Sequence, residues 1–341
     1  MSIAQESFSS LATRPDDGER LASYLNRQMY DGGLSHGGLL ARTTSHVLSA
    51  PGKLMRPRLL LDACRAAGGD PERAFPAAAG TEYGHIASLV HDDIIDGDDV
   101  RRGQQTVHAK YSVPAAILTG DLLIFQTFLS YTYCHDRGIG AERVLTAIRL
   151  LSLTCIEVCE GQALEAGIVG RLDTTEATYM EMIRLKTAGV WRASAEIGAC
   201  LAGAEDDLIM SLRYYGENLG LAFQVIDDLL CYEGVSERLG KPARSDLCNG
   251  RVTLPIIYAL QTAGAATRQQ IATLFASDPS DADRNYPALI RILTTTGALD
   301  RTRQTAAHLV ASATRRLDQL PPSDARARLR ALADLVLTRD H

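Results

Sequence analysis

Apolar residues that recur every three or four positions dominate this chain. The pattern runs through five long segments, residues 140–166, 175–202, 206–232, 251–263 and 305–319, which short connectors containing Gly, Pro or Asp separate. Such spacing places apolar side chains on one face of an α-helix. No stretch shows the sustained alternation of a half-buried strand, and no Asn-Gly or Asp-Gly turn joins two such stretches. The sequence therefore predicts an all-α protein of ten or more helices.

The domain organisation follows from what interrupts this pattern. The 341 residues contain no repeat of fixed period and no low-complexity linker. We therefore expect a single domain over residues 1–341, with a mobile N-terminal segment over residues 1–25. Residues 114–133 approach the length of a membrane span, but Asp121 and Gln126 interrupt the apolar run. This stretch is predicted to be a buried core helix rather than a transmembrane one, and peripheral contact with a membrane is left open.

Charge and cysteine content exclude some classes of function. The net charge of −6 argues against a nucleic-acid-binding protein, because phosphate neutralisation by a basic field supplies most of that affinity. The seven cysteines are odd in number and form no CxxC pair. They favour a reducing compartment, the cytoplasm, over a disulfide framework. An anionic ligand would have to be bound by a local cluster of cations or through metal ions.

A first acidic cluster lies in HDDIIDGDDVRRG, residues 91–103. On a helix, Asp92 and Asp96 are one turn apart, about 6 Å along the axis, so both carboxylates project from one face. Their repulsion requires positive charge, either from Arg101 and Arg102 or from bound cations. Taken alone, the cluster is better explained as a solvated helix end that pairs with the two arginines.

A second acidic cluster favours the metal interpretation. Asp227 and Asp228 end another strongly apolar helix, where solvated carboxylates are not expected by chance. If the two helices face each other across a bundle, their carboxylates converge on one cavity. Carboxylate oxygens suit Mg²⁺, which proteins commonly bind together with substrate phosphates. The sequence therefore predicts a diphosphate ligand that Mg²⁺ connects to the acidic helices.

Several short motifs occur in a specific order along almost the whole chain. They are GKLMRP, HDDIIDGDDVRRG, TGDLL, EGQ, RLKTAGVWRASAEIGA, GLAFQVIDDLL, LGKPARSDL and GRVTLP. This set resembles the trans-isoprenyl (all-E polyprenyl) diphosphate synthases. The resemblance implies an antiparallel helical bundle around a deep central cavity, and usually a homodimer. It also implies an Mg²⁺-dependent enzyme that joins isopentenyl diphosphate to an allylic diphosphate by ionisation, addition and proton loss.

The resemblance also implies roles for individual residues. By motif position, metal ions would be bound by Asp92, Asp93, Asp96, Asp227 and Asp228. The allylic diphosphate would contact Arg101, Lys186, Gln224 and Lys241. The isopentenyl diphosphate would contact Lys53, Arg56, His85 and Arg102. Thr187 and Gln224 match positions that line the reacting prenyl group. The implied catalytic set consists of these two residues with Lys186, Asp92, Asp93, Asp96 and Asp227.

One residue departs from the family pattern. Cys231 stands where the second aspartate-rich motif normally has a third Asp. A thiol is a poor ligand for a hard cation such as Mg²⁺. Two alternatives therefore stay open: a terpene cyclase or lyase on the same fold that uses an allylic diphosphate alone, and a non-catalytic modulatory subunit of a heteromeric synthase. The retained isopentenyl set argues against the first, and the intact first cluster argues against the second.

Small residues precede the first cluster. Ala87 and Ser88 lie about one helical turn before Asp92, where shorter-chain members of the resembled family carry bulky aromatic residues. The expected product is therefore longer than farnesyl diphosphate, either geranylgeranyl diphosphate or a longer polyprenyl diphosphate.

Overall fold

A computed structural model describes residues 17–31, 37–50, 52–233 and 245–338. Within these ranges the chain forms sixteen α-helices and one two-stranded hairpin. The helices are α1 Asp17–Asp31, α2 Leu39–Leu48, α3 Met55–Ala66, α4 Pro71–Asp96, α5 Val107–Lys110, α6 Val113–Asp136, α7 Ala141–Ile168, α8 Glu176–Ile183, α9 Gly189–Ala202, α10 Asp206–Leu230, α11 Ser245–Cys248, α12 Leu254–Thr262, α13 Ala265–Phe275, α14 Ala282–Thr295, α15 Ala298–Arg316 and α16 Asp324–Thr338. A π-helix, Arg184–Ala188, connects α8 to α9. The prediction of an all-α fold is confirmed.

The hairpin consists of β1, Val100–Arg101, and β2, Gln104–Gln105, paired antiparallel with Val100 opposite Gln105. Its two turn residues, Arg102 and Gly103, have φ values of +52° and +75°. Positive φ at both central positions is typical of the tight turns that match the twist of paired strands. The hairpin follows α4 almost directly, so the first acidic cluster and the arginine pair are close along the chain.

The chain divides into two compact units. The first comprises residues 1–152, 193–213 and 319–331, and the second comprises residues 153–192, 214–318 and 332–341. The prediction of a single domain over residues 1–341 stays a prediction. Of the predicted mobile segment 1–25, residues 1–16 lie outside the described residues. The rest belongs to α1, where Leu21 and Leu25 are buried.

The long helix α4 is the centre of the first unit. Asp70 caps its N-terminus by accepting a hydrogen bond from the Glu72 backbone N–H, and Pro71 occupies the first turn. All its residues from 74 to 83 are buried, including Tyr83, whose hydroxyl donates to the Leu25 carbonyl at 2.5 Å. The helix ends at Asp96, followed by Gly97 with a φ of +69°. A buried helix of this length holds its acidic end in a fixed place.

The apolar core of the second unit surrounds the C-terminal half of α10. Val225 and Leu229 of this helix belong to one cluster with Tyr179 of α8 and Ile257 of α12, and all four are buried. The polar residues that α10 carries between them are therefore anchored in a packed core.

Helix α6 is, within the described ranges, the one helix long and apolar enough to cross a membrane by length and composition. Of its most apolar window, 44% is buried within the chain. Leu123 and Tyr131 are on the buried side, whereas Ile117 and Phe125 are exposed. The buried side is what a core helix requires, and contact of the exposed side with a membrane stays a prediction.

Candidate functional site

The first and second acidic clusters both occupy the last turn of a helix. Asp92, Asp93 and Asp96 end α4, and Asp227 and Asp228 lie in the last turn of α10. Neither last turn contains a basic residue. The C-terminus of a helix already carries a partial negative charge, so carboxylates there are unfavourable without a cation. Both helix ends therefore need positive charge or hydrogen-bond donors from elsewhere.

Arg101 supplies positive charge to the first cluster. Its guanidinium Nε donates to Oδ1 of Asp93, which is buried, and its Nη2 lies 3.6 Å from Oδ2 of Asp98. Asp92 and Asp96 are partly exposed. The structure thus brings together two residues that the sequence assigned to different ligands, the metal for Asp93 and the allylic diphosphate for Arg101. Both assignments stay predictions.

The predicted isopentenyl diphosphate residues are grouped in the first unit. Arg56 Nη1 lies 3.1 Å from Nε2 of His85. Burial, and after it the positive charges of Arg56 and Arg102, hold the pKa of His85 well below its ordinary value. His85 is therefore neutral at pH 7, and its Nε2 can accept the hydrogen bond from Arg56.

A glycine allows Arg102 to approach the loop that carries Lys53. Arg102 Nη1 donates to the Ala50 carbonyl at 3.0 Å, and a Cβ atom at Gly52 would lie only 2.6 Å from Arg102 Nη2. The absence of a side chain at Gly52 lets the guanidinium lie against the loop that carries Lys53. Lys53 itself is exposed.

Glu82 is a charged residue of this region that the sequence analysis missed. Its side chain is only 2% exposed. Burial raises the pKa of Glu82, while the nearby guanidinium groups of Arg56 and Arg102 lower it. A buried carboxylate is retained where it is paired. A Glu three residues before His85 in an otherwise apolar helical stretch was the available signal.

In the second unit, Lys186 lies in the π-helix and is bound by a carboxylate. Its Nζ donates to Oε2 of Glu165 at 2.5 Å, and Nε of Arg251 lies 3.9 Å from Oε1 of the same residue. A Cβ atom at Gly161 would lie 2.4 Å from the Lys186 backbone nitrogen. The EGQ motif therefore needs a glycine at position 161, because α7 and the π-helix are in backbone contact here. The sequence analysis did not single out Glu165, although it lies in the turn after EGQ.

A chain of hydrogen bonds connects the polar residues of α10 to α8 and the π-helix. Thr187 Oγ1 donates to Oε1 of Gln224 at 2.9 Å, and Gln224 Nε2 donates to Oδ1 of Asp228 at 2.7 Å. The Tyr179 hydroxyl donates to Oδ2 of Asp228 at 2.6 Å. Burial, together with the neighbouring carboxylate of Asp246, raises the pKa of Asp228. Both carboxylate oxygens of Asp228 thus accept hydrogen bonds from the protein.

Cys231 contributes no negative charge to the second cluster. Its Sγ donates to the Asp227 carbonyl at 3.5 Å. Burial and the nearby carboxylates of Asp246 and Asp228 raise the pKa of the Cys231 thiol, which keeps it protonated. Since the thiolate is the form of cysteine that binds metals, this thiol is not a metal ligand here. Lys241, the remaining predicted diphosphate contact, lies outside the described residues.

The acidic residues suit a metal ion that is shared with a substrate. In the described part of the chain, no group of three or more His, Cys, Asp and Glu side chains could hold a metal ion. The carboxylates of Asp92 and Asp96 are nevertheless hard oxygen donors on one helix face. Mg²⁺ commonly takes one or two carboxylates and fills its other positions with water and substrate phosphates. The donor set fits that arrangement and does not form a complete protein cage.

The two predicted chain-length residues are placed differently. Ala87 is buried at 1% exposure, and Ser88 is partly buried, with its Oγ donating to the His85 carbonyl at 2.8 Å. Their influence on product length stays a prediction.

Comparison with known proteins identifies relatives over nearly the whole chain. A family model described as polyprenyl synthetase matches residues 38–292. A short chain isoprenyl diphosphate synthase of Methanothermobacter thermautotrophicus is 39% identical over 302 residues, which cover 89% of this chain and 91% of that protein. A geranylfarnesyl diphosphate synthase of Natronomonas pharaonis is 37% identical over 322 residues, with coverage of 89% and 90%. A polyprenyl synthase crystal structure from Caulobacter crescentus, complexed with calcium and isoprenyl diphosphate, has a TM-score of 0.83 at 31% identity and coverage of 95% and 96%.

The neutral state of His85 has a measurable consequence for stability. Its pKa is lowered in the folded state, so below about pH 6.5 the unfolded chain binds a proton that the folded protein does not. Stability is therefore lost as the pH falls through that value, by at most about 1.4 kcal/mol per pH unit. We expect His85→Gln, which keeps an acceptor for Arg56, to remove this contribution.

Urea unfolding of both proteins at pH 7.5 and pH 5.5 measures the effect. On acidification from pH 7.5 to pH 5.5, the wild type should lose about 1 kcal/mol more unfolding free energy than the variant. Contributions from Glu82 and other carboxyl groups are common to both proteins and cancel. An identical change in the two proteins would show that His85 is protonated in the folded state.

Proposed function

The chain belongs to the polyprenyl synthetase family, and we infer that it is a trans-prenyltransferase that makes prenyl diphosphates longer than farnesyl. In the proposed reaction, isopentenyl diphosphate adds to an allylic diphosphate, which loses its diphosphate group. The observation that carries this proposal is the grouping of Lys53, Arg56, His85 and Arg102, since an enzyme that used an allylic diphosphate alone would not need it. The name of the Natronomonas relative supports the longer product.

We propose that the basic group in the first unit binds isopentenyl diphosphate. Guanidinium groups offer planar pairs of donors to phosphate oxygens, and the Lys53 ammonium adds a point charge. Because His85 is neutral, it accepts from Arg56 and adds no positive charge of its own to this group. Glu82 balances the two arginines when no substrate is bound.

We propose that Asp92, Asp93, Asp96 and Asp227 bind the allylic diphosphate through Mg²⁺, with Asp228 as a further candidate ligand. Bound Mg²⁺ would neutralise negative charge that grows on the leaving diphosphate. The calcium and isoprenyl diphosphate in the Caulobacter relative support a divalent cation in this family. Arg101, Lys186 and Lys241 would contact the diphosphate oxygens directly, which requires Arg101 to exchange Asp93 for the substrate.

The reaction breaks one C–O bond, forms one C–C bond and releases one proton. We propose that the dipoles of Thr187 and Gln224 stabilise the allylic cation after ionisation. Addition of the isopentenyl double bond moves the positive charge to the new chain, and loss of a proton restores the double bond. The departed diphosphate is a sufficient base for that proton, so no protein general base is needed.

One assay tests this function against both alternatives. Wild-type protein is incubated with farnesyl diphosphate and Mg²⁺, with and without isopentenyl diphosphate, and both organic and aqueous products are analysed. We expect diphosphate release and chain extension that depend on isopentenyl diphosphate. A hydrocarbon or alcohol formed without isopentenyl diphosphate would indicate a cyclase or lyase. No turnover, with a stable complex formed with a second synthase, would indicate a modulatory subunit.

Product length tests the role of the small residues before Asp92. We expect Ser88→Phe to shorten the product to farnesyl diphosphate, because an aromatic ring one turn before the aspartates occupies space that a longer chain needs. Ser88→Ala is the matched control and should give the wild-type product. Chromatography of dephosphorylated products measures the lengths. Unchanged length in Ser88→Phe would show that this turn does not limit the chain, and Ala87→Phe then tests the neighbouring position.

We propose that the protein is a homodimer. Helix α6 exposes Ile117, Leu118, Phe125 and Leu129, with Phe125 71% exposed, and α7 exposes Leu145 at 66%. Exposed large apolar side chains in this number are typical of an interface. Light scattering should give twice the chain mass of 36.9 kDa, and Phe125→Glu should lower it towards the monomer. A monomeric mass for the wild type would leave membrane contact as the explanation of this face.

We propose a cytoplasmic location without a nucleic-acid partner. All seven cysteines lie within the described residues and all are free thiols. Free thiols persist in a reducing compartment. The negative net charge gives nucleic acids no general electrostatic attraction.

A further inference from the structure

We infer that Tyr179 is a positioning residue for Gln224, acting through Asp228. The hydroxyl of Tyr179 donates to one carboxylate oxygen of Asp228, and the amide of Gln224 donates to the other. Tyr179 itself is fully buried, and its hydroxyl donates to Asp228. The inference rests on the proposed function, in which the Gln224 side chain faces the reacting prenyl group.

The direction of the Gln224 amide decides whether it helps or opposes the reaction. Its oxygen end stabilises a neighbouring carbocation, whereas its NH₂ end destabilises it. The Nε2 end of the amide is the one that donates to Oδ1 of Asp228. The hydroxyl of Thr187 then donates to Oε1 at the opposite end. Together these two contacts fix the amide with its oxygen away from Asp228.

Tyr179 in turn fixes the orientation of Asp228. A carboxylate that accepted only from Gln224 could rotate, because its two oxygens are equivalent acceptors. The Tyr179 ring belongs to the same apolar cluster as Val225 and Leu229 of α10, so its hydroxyl occupies one place relative to that helix. The 2.6 Å contact to Oδ2 leaves Oδ1 for Gln224. The orientation of the Gln224 amide therefore depends on the Tyr179 hydroxyl, which acts on it through Asp228.

Tyr179→Phe removes this hydroxyl and keeps the ring. If the amide becomes free to turn, stabilisation is lost in the transition state rather than in the bound substrate. We expect kcat to fall about 10-fold, with both KM values unchanged within about twofold.

Tyr258→Phe is the matched control. Tyr258 is buried in the same unit, and its hydroxyl also makes two hydrogen bonds, to Glu176 and Thr305, both at 2.9 Å. Its contacts lie outside the Gln224 network. Removal of its hydroxyl should affect thermal stability about as much as Tyr179→Phe and leave kcat within about twofold of the wild type. An equal loss of kcat in both variants would reduce the effect to general destabilisation and overturn the inference.

A double-mutant cycle tests whether Tyr179 acts through Gln224. In a Gln224→Leu background, Tyr179→Phe should lower kcat no further, because the group it positions is gone. A full additional 10-fold loss would contradict the inference. Wild-type turnover distinguishes a failure of the proposed function from a failure of the inference about Tyr179. Without any condensation by the wild type, the proposed function fails and this inference with it, whereas condensation with an additive cycle contradicts the inference alone.

Discussion

Negative charge concentrated at the C-terminal ends of two apolar helices is the constraint on which the rest of this structure depends. The carboxylates of α4 and α10 add to the negative end of each helix dipole. The two ends are compensated in different ways. At α4 a cation, Arg101, pairs with the buried Asp93. At α10, neutral donors, the Tyr179 hydroxyl and the Gln224 amide, surround Asp228. The end of α4 is thus adapted to exchange the partner of its carboxylate, whereas the end of α10 is adapted to hold Asp228 in one geometry.

Two glycines leave the space that two basic residues occupy. Gly52 lets the Arg102 guanidinium lie against the loop with Lys53, and Gly161 lets α7 meet the backbone at Lys186. In both cases a single Cβ atom would overlap the basic residue at less than 3 Å. The glycines of the GK and EGQ motifs therefore have a steric reason, and the placement of two cations that we propose to bind diphosphate depends on residues without a side chain of their own.

Sequence reasoning identified what is local and missed what is tertiary. The all-α class and the two acidic helix ends follow from patterns within a few turns of chain, and the structure has both. Glu82, Glu165 and Tyr179 escaped detection because each acquires its importance from a partner distant in the chain, such as Arg56 or Asp228. A Glu in an apolar helix is conspicuous in the sequence, but nothing nearby in the chain identifies its partner. The family resemblance supplied the roles of Lys186, Thr187 and Gln224, which spacing alone did not indicate.

The π-helix between α8 and α9 has a consequence for how this region tolerates change. A turn with an extra residue rotates everything that follows by about 100° relative to a regular α-helix. The π-helix therefore shifts the helical register, so that the faces of α9 are rotated relative to those of α8. Loss of one residue here would restore a regular helix and misdirect the whole of α9. For this segment, the number of residues is a stricter requirement than the identity of most of them.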